Sequence, residues 1–459
     1  MTKANDYIVG LRKIPMSHIK GLKISLARTY NTMKPYEIFS SRVSHHAVAE
    51  QLIQAALPYD EVRKRSQQIL QQKQAAPGDR VGYIHHPFCE KLCKFCSFFR
   101  VLKDEASLVR FLDILNESIR QCGNYPYVNA APFDAFYFGG GTPTTMPPEQ
   151  MKRLLHTIRE SFRFADDLEF TSESTFATIT EEMLAVLKEG GVNRMSLGVQ
   201  TFSPRLRAFI GRQCHPDEVM QKIGMVRKYM EVVNLDLIYN FPTQTLKEWE
   251  NDLHTAITTG VETVSVHPLV PVKNSPLSKM IEQGEAESMG DEKKQYEFYT
   301  LALDMLLHKG YRQINFCFFT RSDRERLRYF RHRFQEGDCF SFGPGAAGNY
   351  GEFLYFNFPS VEHYNQMVES GEFPGIVAGE FNEHFKLAWA ISEEILFGTR
   401  VNKKRLSEHY GVAINQKYEK VLQRLSDNNL IEDSPDYFTL TPLGLFWAHN
   451  IGELFQATE

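Results

Sequence analysis

The chain has 459 residues, more than one small core organises and enough for a large barrel with one or two smaller units. Its 42% hydrophobic and 24% charged residues are those of an ordinary soluble globular protein, and a net charge of −4 argues neither for nor against a polyanionic partner. No apolar run approaches a membrane span and the N-terminus lacks a signal-peptide core, so a cytoplasmic location with no membrane partner is expected.

From Met1 to Arg42, eight Lys and Arg residues stand against Asp6 and Glu37 alone. Such a cationic arm is either simply solvated or an anion-facing lid over a site. Asp60 to Gln74 reads as a helix, broken at Pro77-Gly78. From Val81 to about Val270, short β-rich runs alternate with amphipathic helical segments, as parallel strands joined by crossover helices do. The strand candidates are Val81 to His85, Ala135 to Phe138, Leu168 to Ser172, Arg194 to Val199, Val233 to Tyr239 and Thr263 to Pro268. Between them, Val109, Leu112, Leu115 and Ile119 hold a helical spacing, as do Met183, Leu184 and Leu187. In a barrel of this kind the loops after the strands build the site.

The first of those loops lies in YIHHPFCEKLCKFCSFFR, Tyr83 to Arg100. It carries Cys89, Cys93 and Cys96 at spacings of four and three, with Phe95 before the last thiol. Seven cysteines are too few for a disulfide framework in a chain this long, and three within eight positions point to a metal site in a reducing compartment. Cys122, Cys214, Cys317 and Cys339 read as buried structural thiols. Three thiolates on so short a loop suit three corners of an iron-sulfur cubane, leaving one iron open to a substrate or cofactor. A zinc site with His85 or His86 as fourth ligand is the alternative.

After Tyr137-Phe138 comes GGGTPT, Gly139 to Thr144, whose glycines let backbone groups approach the amino and carboxylate groups of a ligand. Glu173 ends the third strand, where it is either a surface residue before a turn or an acceptor for both hydroxyls of a ribose. Gln200 stands at the end of the fourth, and Arg212, twelve residues on, has the fork that suits a carboxylate. Asp236 and Asn240 flank the fifth strand.

CxxxCxxC with an aromatic before the third cysteine resembles the radical SAM superfamily. Taken with GGGTPT, the lone Glu173, GVQTF and DLIYxxPxQT, it resembles the coproporphyrinogen dehydrogenase (HemN)-like branch, strongly over Tyr83 to Val270 and more weakly beyond. The resemblance implies an α/β fold, a partial (β/α)6 TIM-like barrel of the radical SAM type. It implies a 4Fe-4S cluster held by Cys89, Cys93 and Cys96, and S-adenosyl-L-methionine, two molecules of it. Tyr83, Gly140 and Glu173 fall where the family contacts the cluster-bound molecule. Phe95, Gly141, Thr142, Gln200, Arg212, Asp236 and Val270 fall where it contacts the second. A reduced cluster would split the sulfonium and release a carbon-centred radical, and the cofactors carry that chemistry.

The departures bear on the substrate. Phe98 stands where the coproporphyrinogen enzyme has a further cysteine, Thr175-Phe176 replaces Asn/Asp-Pro, Asn240 replaces a glycine and His86 an apolar residue. With the long N-terminal arm, the pattern is most similar to the anaerobic haem-degrading methyltransferases, the anaerobilin synthases. That similarity implies haem as substrate, radical methyl transfer to a meso carbon, release of iron, a linear tetrapyrrole as product and a one-electron donor such as a flavodoxin or reductase. A coproporphyrinogen dehydrogenase and a haem chaperone of the same branch are the rivals, with a redox-sensing DNA-binding regulator more distant.

Beyond the barrel, Asp291 to Lys309 reads as a helix and Tyr311 to Thr320 as a strand. Arg321 to Arg333 places six arginines and His332 in thirteen residues, either a solvated helix face with local ion pairs or a partner for tetrapyrrole propionates. Phe342-Gly-Pro-Gly-Ala resembles the family's glycine loop near the open end of the barrel. From about Phe381 the pattern is helical, followed by helices Lys403 to Tyr410 and Gln416 to Leu425, a strand Tyr437 to Leu440 and a last helix capped by Thr441-Pro442. This resembles a winged helix, an α+β unit. Lys403, Lys404 and Arg405 are diluted by Glu408, Glu419, Glu432 and Asp433, so no nucleic-acid partner is expected. The expected divisions are 1–78, a basic arm and helix; 79–290, the core barrel; 291–375, an extension; and 376–459, the C-terminal winged-helix-like unit. Among candidate axial ligands for haem iron, His85, His86 and His267 sit at strand ends, and His86 is the preferred one.

Overall fold

The computed structural model describes residues 34–43, 57–74, 78–212, 214–270, 275–332, 337–351, 353–379 and 382–457. Most of the cationic arm and Pro77 therefore lie outside the described residues. Helix α1 (Tyr59–Leu70) leads into strand β1 (Asp79–His86), and two-residue strands β2 (Phe88–Cys89) and β3 (Val101–Leu102) pair across the cysteine loop. Then come α2 (Glu105–Gly123), β4 (Phe133–Gly140), α3 (Pro148–Ser161), β5 (Phe164–Ser174), α4 (Glu181–Glu189) and β6 (Arg194–Gln200). Helices α5 (Pro204–Ile210) and α6 (Pro216–Tyr229), β7 (Val232–Tyr239), α7 (Leu246–Thr259) and β8 (Thr263–Pro268) complete the series.

All six expected strands are present, and β1, β4, β5, β6, β7 and β8 pair parallel in that order. The architecture is the expected α/β partial barrel. Its strands are near-continuously buried, as parallel strands covered by helices must be. The helices begin where side chains can cap them. Asp104 accepts from the Ser107 amide at 2.8 Å, and Thr245 and Glu248 form a capping box on α7. Helix α2 buries Leu108, Phe111, Leu112, Leu115 and Ile119, each contributing roughly 1.5–3 kcal/mol by leaving water. Val109, counted with that face in the sequence, is 48% exposed, because Leu108 and Phe111 set the stripe one residue earlier.

A seventh parallel strand, β11 (Gly337–Phe342), lies against β1 on its other edge. The sequence hid it because a charge sits near its start. Asp338 faces Arg80 in register and pairs with it at 2.9 Å, both side chains being buried, and Tyr127 donates to the same carboxylate at 2.9 Å. Beyond β8 the chain forms α8 (Pro276–Glu282), α9 (Glu292–His308), β9 (Arg312–Gln313) and β10 (Phe318–Thr320). The expected single strand from Tyr311 to Thr320 is thus an antiparallel pair, with β10 closing onto β8. Helix α10 (Arg328–His332) is followed, after β11, by β12 (Ala347–Tyr350), β13 (Phe353–Asn357), α11 (Val361–Glu369) and β14 (Gly375–Gly379), which extend the sheet antiparallel to twelve strands.

The C-terminal unit comprises α12 (Glu383–Phe397), β15 (Arg400–Asn402), α13 (Lys403–Tyr410), α14 (Ile414–Lys417), α15 (Glu419–Asp427), β16 (Ile431–Asp433), β17 (Tyr437–Leu440), α16 (Pro442–Phe446) and α17 (Ala448–Gln456). Its antiparallel sheet, ordered β15–β17–β16, with the helices around it is winged-helix-like. Lys403 is buried and pairs with Asp433 at 2.6 Å, and Arg405 pairs with Glu394, so two of its three consecutive cations are spent inside the unit. The unit docks on the barrel and holds the described end of the arm. Trp447 donates to the Pro35 carbonyl at 2.9 Å, and Arg42 lies over Phe446 and donates to the Tyr239 hydroxyl at 3.1 Å. Among the described residues, no helix is long and apolar enough to cross a membrane.

Candidate functional site

Pro87 turns the chain out of β1, and the β2–β3 pair closes the loop that carries the thiols. The Val101 amide donates to the Pro87 carbonyl at 2.8 Å and the Lys103 amide to that of Cys89 at 2.9 Å. Inside the loop Arg100 pins the turn, donating to the Cys93 carbonyl at 2.9 Å and to that of Phe98 at 3.1 Å. The loop is tied to α8 through Leu277, whose amide donates to the Lys94 carbonyl at 3.0 Å. All three thiols are free; Cys89 is buried, Cys93 and Cys96 half-buried. Burial pushes the Cys89 and Cys96 thiols up, opposed at Cys89 by Thr142 and at Cys96 by Arg100, so metal ligation would have to release their protons. Of the four other cysteines, Cys317 and Cys339 are buried as expected, while Cys122 and Cys214 are only half-buried.

The neighbouring histidines are engaged elsewhere. His85 meets the Phe99 carbonyl with Nε2 at 2.8 Å and the Tyr83 hydroxyl with Nδ1 at 3.0 Å. His86 is wholly buried among Phe88, Phe111 and Phe138, with Nε2 2.9 Å from the Thr145 hydroxyl. Burial pushes them down to about 4 and about 3, so both rings are neutral at pH 7. This corrects the expectation for His86: a ring sealed in that aromatic pocket reaches neither haem iron nor a zinc beside the thiols. Among the described residues, no three His, Cys, Asp or Glu side chains converge in the manner of a single-ion site. Three soft thiols without a fourth protein ligand beside them fit a cubane cluster with one corner left to another molecule.

The glycine loop at the end of β4 is stitched to the cysteine strand. The Gly141 amide donates to the His86 carbonyl at 2.6 Å and the Thr142 amide to that of Phe88 at 2.9 Å. A Cβ on Gly141 would stand 2.7 Å from the Phe88 carbonyl oxygen, and Gly140 has φ +109°, so the approach requires glycine at both places. The Thr142 hydroxyl lies 3.6 Å from the Cys89 sulfur. Next door on β5, Glu173 accepts from the Tyr137 hydroxyl at 2.7 Å. Tyr83 stacks on Tyr137 at 6.3 Å, which brings Tyr83, the Gly140 loop and Glu173 to one place. Burial pushes the Glu173 carboxyl up to about 7, with the Tyr137 hydroxyl opposing.

A second polar set lies further round the mouth. Gln200 ends β6 with φ +67°, and its Oε1 and the Nε of Arg212 are buried without a hydrogen-bond partner among the described residues. The two converge over Gly198, where a Cβ would meet the Gln200 amide at 2.8 Å and the Arg212 guanidinium at 3.5 Å. Asp236 is held by Ser196 at 3.0 Å, Asn234 at 2.7 Å and Ser265 at 2.5 Å, with the half-buried His267 ring 4.0 Å away. Phe95 packs edge-on against Phe241, in a small cluster with Leu277. Val270 is half-buried two residues past β8, and the four residues after it lie outside the described ones. Asn240, at φ +72° in place of the family's glycine, ties its amide to Gly290, accepting from that backbone amide at 2.9 Å.

The arginine-rich run is not at this mouth. Arg321 follows β10, whose Thr320 pairs with Thr263 at the start of β8, and the Arg328 amide donates to Glu169 at 2.9 Å low on β5. Arg326 and Arg328 pair with Asp167, and Arg312 with Asp323. Among the described residues of the run only Arg328–His332 is helical, and Arg321 to Leu327 is a loop with local ion pairs plugging the strands' N-terminal end rather than part of one long helix face. Sequence reasoning missed Tyr137 and Tyr329. Tyr137 lies on the strand that leads into the glycine loop, a legible clue; Tyr329 is buried against Tyr137 and Tyr83 although Arg328 beside it pairs with Asp167.

Residues 83–256 match the radical SAM superfamily and residues 389–447 the HemN C-terminal domain. The protein named anaerobilin synthase of Escherichia coli O157:H7 is 28% identical over 379 residues, 82% of this chain and 84% of that protein. The protein named heme chaperone HemW of Bacillus subtilis is 29% identical over 369 residues, 79% and 95% of the two chains. The oxygen-independent coproporphyrinogen III oxidase of Helicobacter pylori is 24% identical over 394 residues, 82% and 85%. The solved structure of coproporphyrinogen III oxidase (HemN) from Escherichia coli, described as a radical SAM enzyme, superposes with a TM-score of 0.77 at 20% identity, covering 92% of this chain and 97% of that one, and this likeness shows the fold.

Proposed function

On the premise that this chain is a radical SAM protein with a HemN-type C-terminal domain, we propose that it is a methyltransferase that opens the haem macrocycle without oxygen, releasing iron and leaving a linear tetrapyrrole. Membership of the superfamily implies a 4Fe-4S cluster and S-adenosylmethionine. When bound, they supply one-electron cleavage of a sulfonium. In this reading Cys89, Cys93 and Cys96 hold the cluster, with Thr142 close to the Cys89 sulfur. The Gly140 loop and Glu173 receive the first S-adenosylmethionine, the carboxylate accepting its ribose hydroxyls. Gln200, Arg212 and Asp236 receive a second.

The observation that carries the reading is the pair of buried atoms, Gln200 Oε1 and Arg212 Nε, that have no hydrogen-bond partner among the described residues. Leaving such groups without partners costs about 1–3 kcal/mol each, a cost that a bound ligand with a carboxylate and amine would remove. Radical methyl transfer needs one sulfonium as radical source and another as methyl source, and a second polar cradle supports that demand. Phe98, 66% exposed just past the last thiol, places an apolar surface rather than a thiol beside the cluster loop. The similarity to anaerobilin synthase supports haem as the substrate.

The test is anaerobic turnover of the reconstituted protein with haem, S-adenosylmethionine and a reductant, followed by product mass analysis. Loss of haem absorbance with a methylated, ring-opened product is expected; unchanged haem beside abundant 5′-deoxyadenosine contradicts haem as substrate. The similarity to HemW, which extends over 95% of that protein, favours a second reading as a haem-binding chaperone, for which haem would be recovered intact. A single substitution separates the two cradles. Arg212→Leu should preserve reductive cleavage of S-adenosylmethionine within about threefold while lowering methylated product by roughly 10–100-fold, the loss of one charge-assisted contact of about 1.5–3 kcal/mol. Parallel loss of both products would place Arg212 in the first site.

A further inference from the structure

We propose that Tyr137, braced by Tyr329 of the arginine-rich segment, is the positioning residue that orients Glu173 for its ligand. The proposal rests on the reading above, in which Glu173 meets the ribose. Tyr137 and Glu173 stand on adjacent parallel strands; Tyr137 is in register with Thr171, so the carboxylate sits two residues nearer the mouth on the same face. The Tyr137 hydroxyl crosses that step to donate to Glu173 Oε1 at 2.7 Å. The Gly139 position lies against the other oxygen, where even a Cβ would come within 3.0 Å of Oε2, and the Gly140 backbone also bonds the carboxylate. One oxygen is thereby fixed by a side chain whose own position is the question.

Beyond that hydrogen bond, the side chain packs on Val81, Ala135 and Cys339 and on a group of aromatic rings. Tyr329 stacks on the Tyr137 ring at 4.5 Å and on Tyr83 at 5.6 Å, and Phe330 meets Tyr137 edge-on at 5.3 Å. Phe330 in turn stacks on Phe397 of α12 at 6.0 Å. With Tyr329, Phe330 and Tyr83 packed against it, the Tyr137 ring keeps its hydroxyl on one line, and a hydrogen bond to a charged group loses strength steeply when misaimed. The plug at the closed end of the barrel, and through Phe397 the C-terminal unit, therefore set the direction in which the carboxylate points at the open end.

The charged and titratable groups that face Glu173 are Tyr137 on β4, Asp236 on β7 and Arg194 on β6. Burial raises the carboxyl, Tyr137 lowers it, Asp236 raises it, and the Gly140 backbone and Arg194 lower it. Removing the Tyr137 hydroxyl removes a group that favours the ionised form, so the carboxyl must move to higher pH.

The experiment is the affinity of the anaerobically reconstituted protein for S-adenosylhomocysteine as a function of pH, by calorimetry. In the wild type, affinity should fall as pH drops through about 7. In Tyr137→Phe the midpoint should rise by about one pH unit, with affinity recovered at high pH. Tyr329→Leu should shift it the same way by less, while Tyr329→Phe, which keeps the ring, should restore the wild-type profile. An unmoved midpoint in Tyr137→Phe overturns the proposal and leaves the ribose reading standing. A Glu173→Gln variant with wild-type affinity and profile overturns that reading, and the proposal with it.

Discussion

Cys93→Ala is expected to reduce S-adenosylmethionine cleavage below detection and to strip the protein of most of its iron. The reason is the loop's construction. Cys93 lies at its apex, its carbonyl receiving both the Cys96 amide at 3.4 Å and the Arg100 guanidinium at 2.9 Å, so the turn survives the substitution while one of three soft donors disappears. With His85 bonded through both ring nitrogens and His86 sealed among phenylalanines, neither neighbouring histidine replaces the lost sulfur. Cys122→Ala, on α2 away from the loop, should keep both iron and activity. Iron and sulfide analysis beside 5′-deoxyadenosine yield checks the pair. Full activity of Cys93→Ala would remove the cluster from the account.

The largest effect on stability should come from the plug. Glu325 and Arg194 are both buried, with contacts of 2.9 Å from Nε and 2.9 Å from Nη2, and Thr263 donates to the same carboxylate at 2.8 Å. Burial works against the Arg194 charge, but Glu325 more than offsets it and holds the guanidinium above its usual range. Glu325→Ala leaves that guanidinium buried without its main partner, which costs about 3–5 kcal/mol. Replacing both groups with apolar residues, as in Arg194→Met with Glu325→Leu, should recover most of the loss, because a buried pair is worth little against its own desolvation. Urea denaturation of the two variants measures the difference. Equal destabilisation of both would show that shape, and not the unpaired charge, dominates there.

The sequence made the barrel legible because its strands are short, apolar and separated by helices with ordinary caps. All six strand candidates lie within the observed strands, and the cysteine loop, GGGTPT, Glu173 and Gln200 all fall at their C-terminal ends. The seventh parallel strand was hidden by Asp338, whose charge is answered by Arg80 from a strand more than 250 positions earlier. Such a partner is invisible to local pattern. The arginine-rich run misled for a related reason. Its charges at a helix-like spacing suggest an exposed face, whereas Glu325 turns inward to Arg194 and Tyr329 stacks inside the barrel. His86 likewise reads as a free ligand beside a metal loop until the phenylalanines around it are placed. Non-local burial decided each of these, and it leaves no mark within a few residues of sequence.

The central claim is that three thiols hold an iron-sulfur cluster with one corner open to S-adenosylmethionine. Electron paramagnetic resonance of the anaerobically prepared, reduced protein tests it most directly. The account predicts a cubane signal that changes when S-adenosylmethionine is added and is lost in Cys93→Ala. Freshly purified protein that holds zinc on these thiols, with no cubane signal and no response to S-adenosylmethionine, would contradict it.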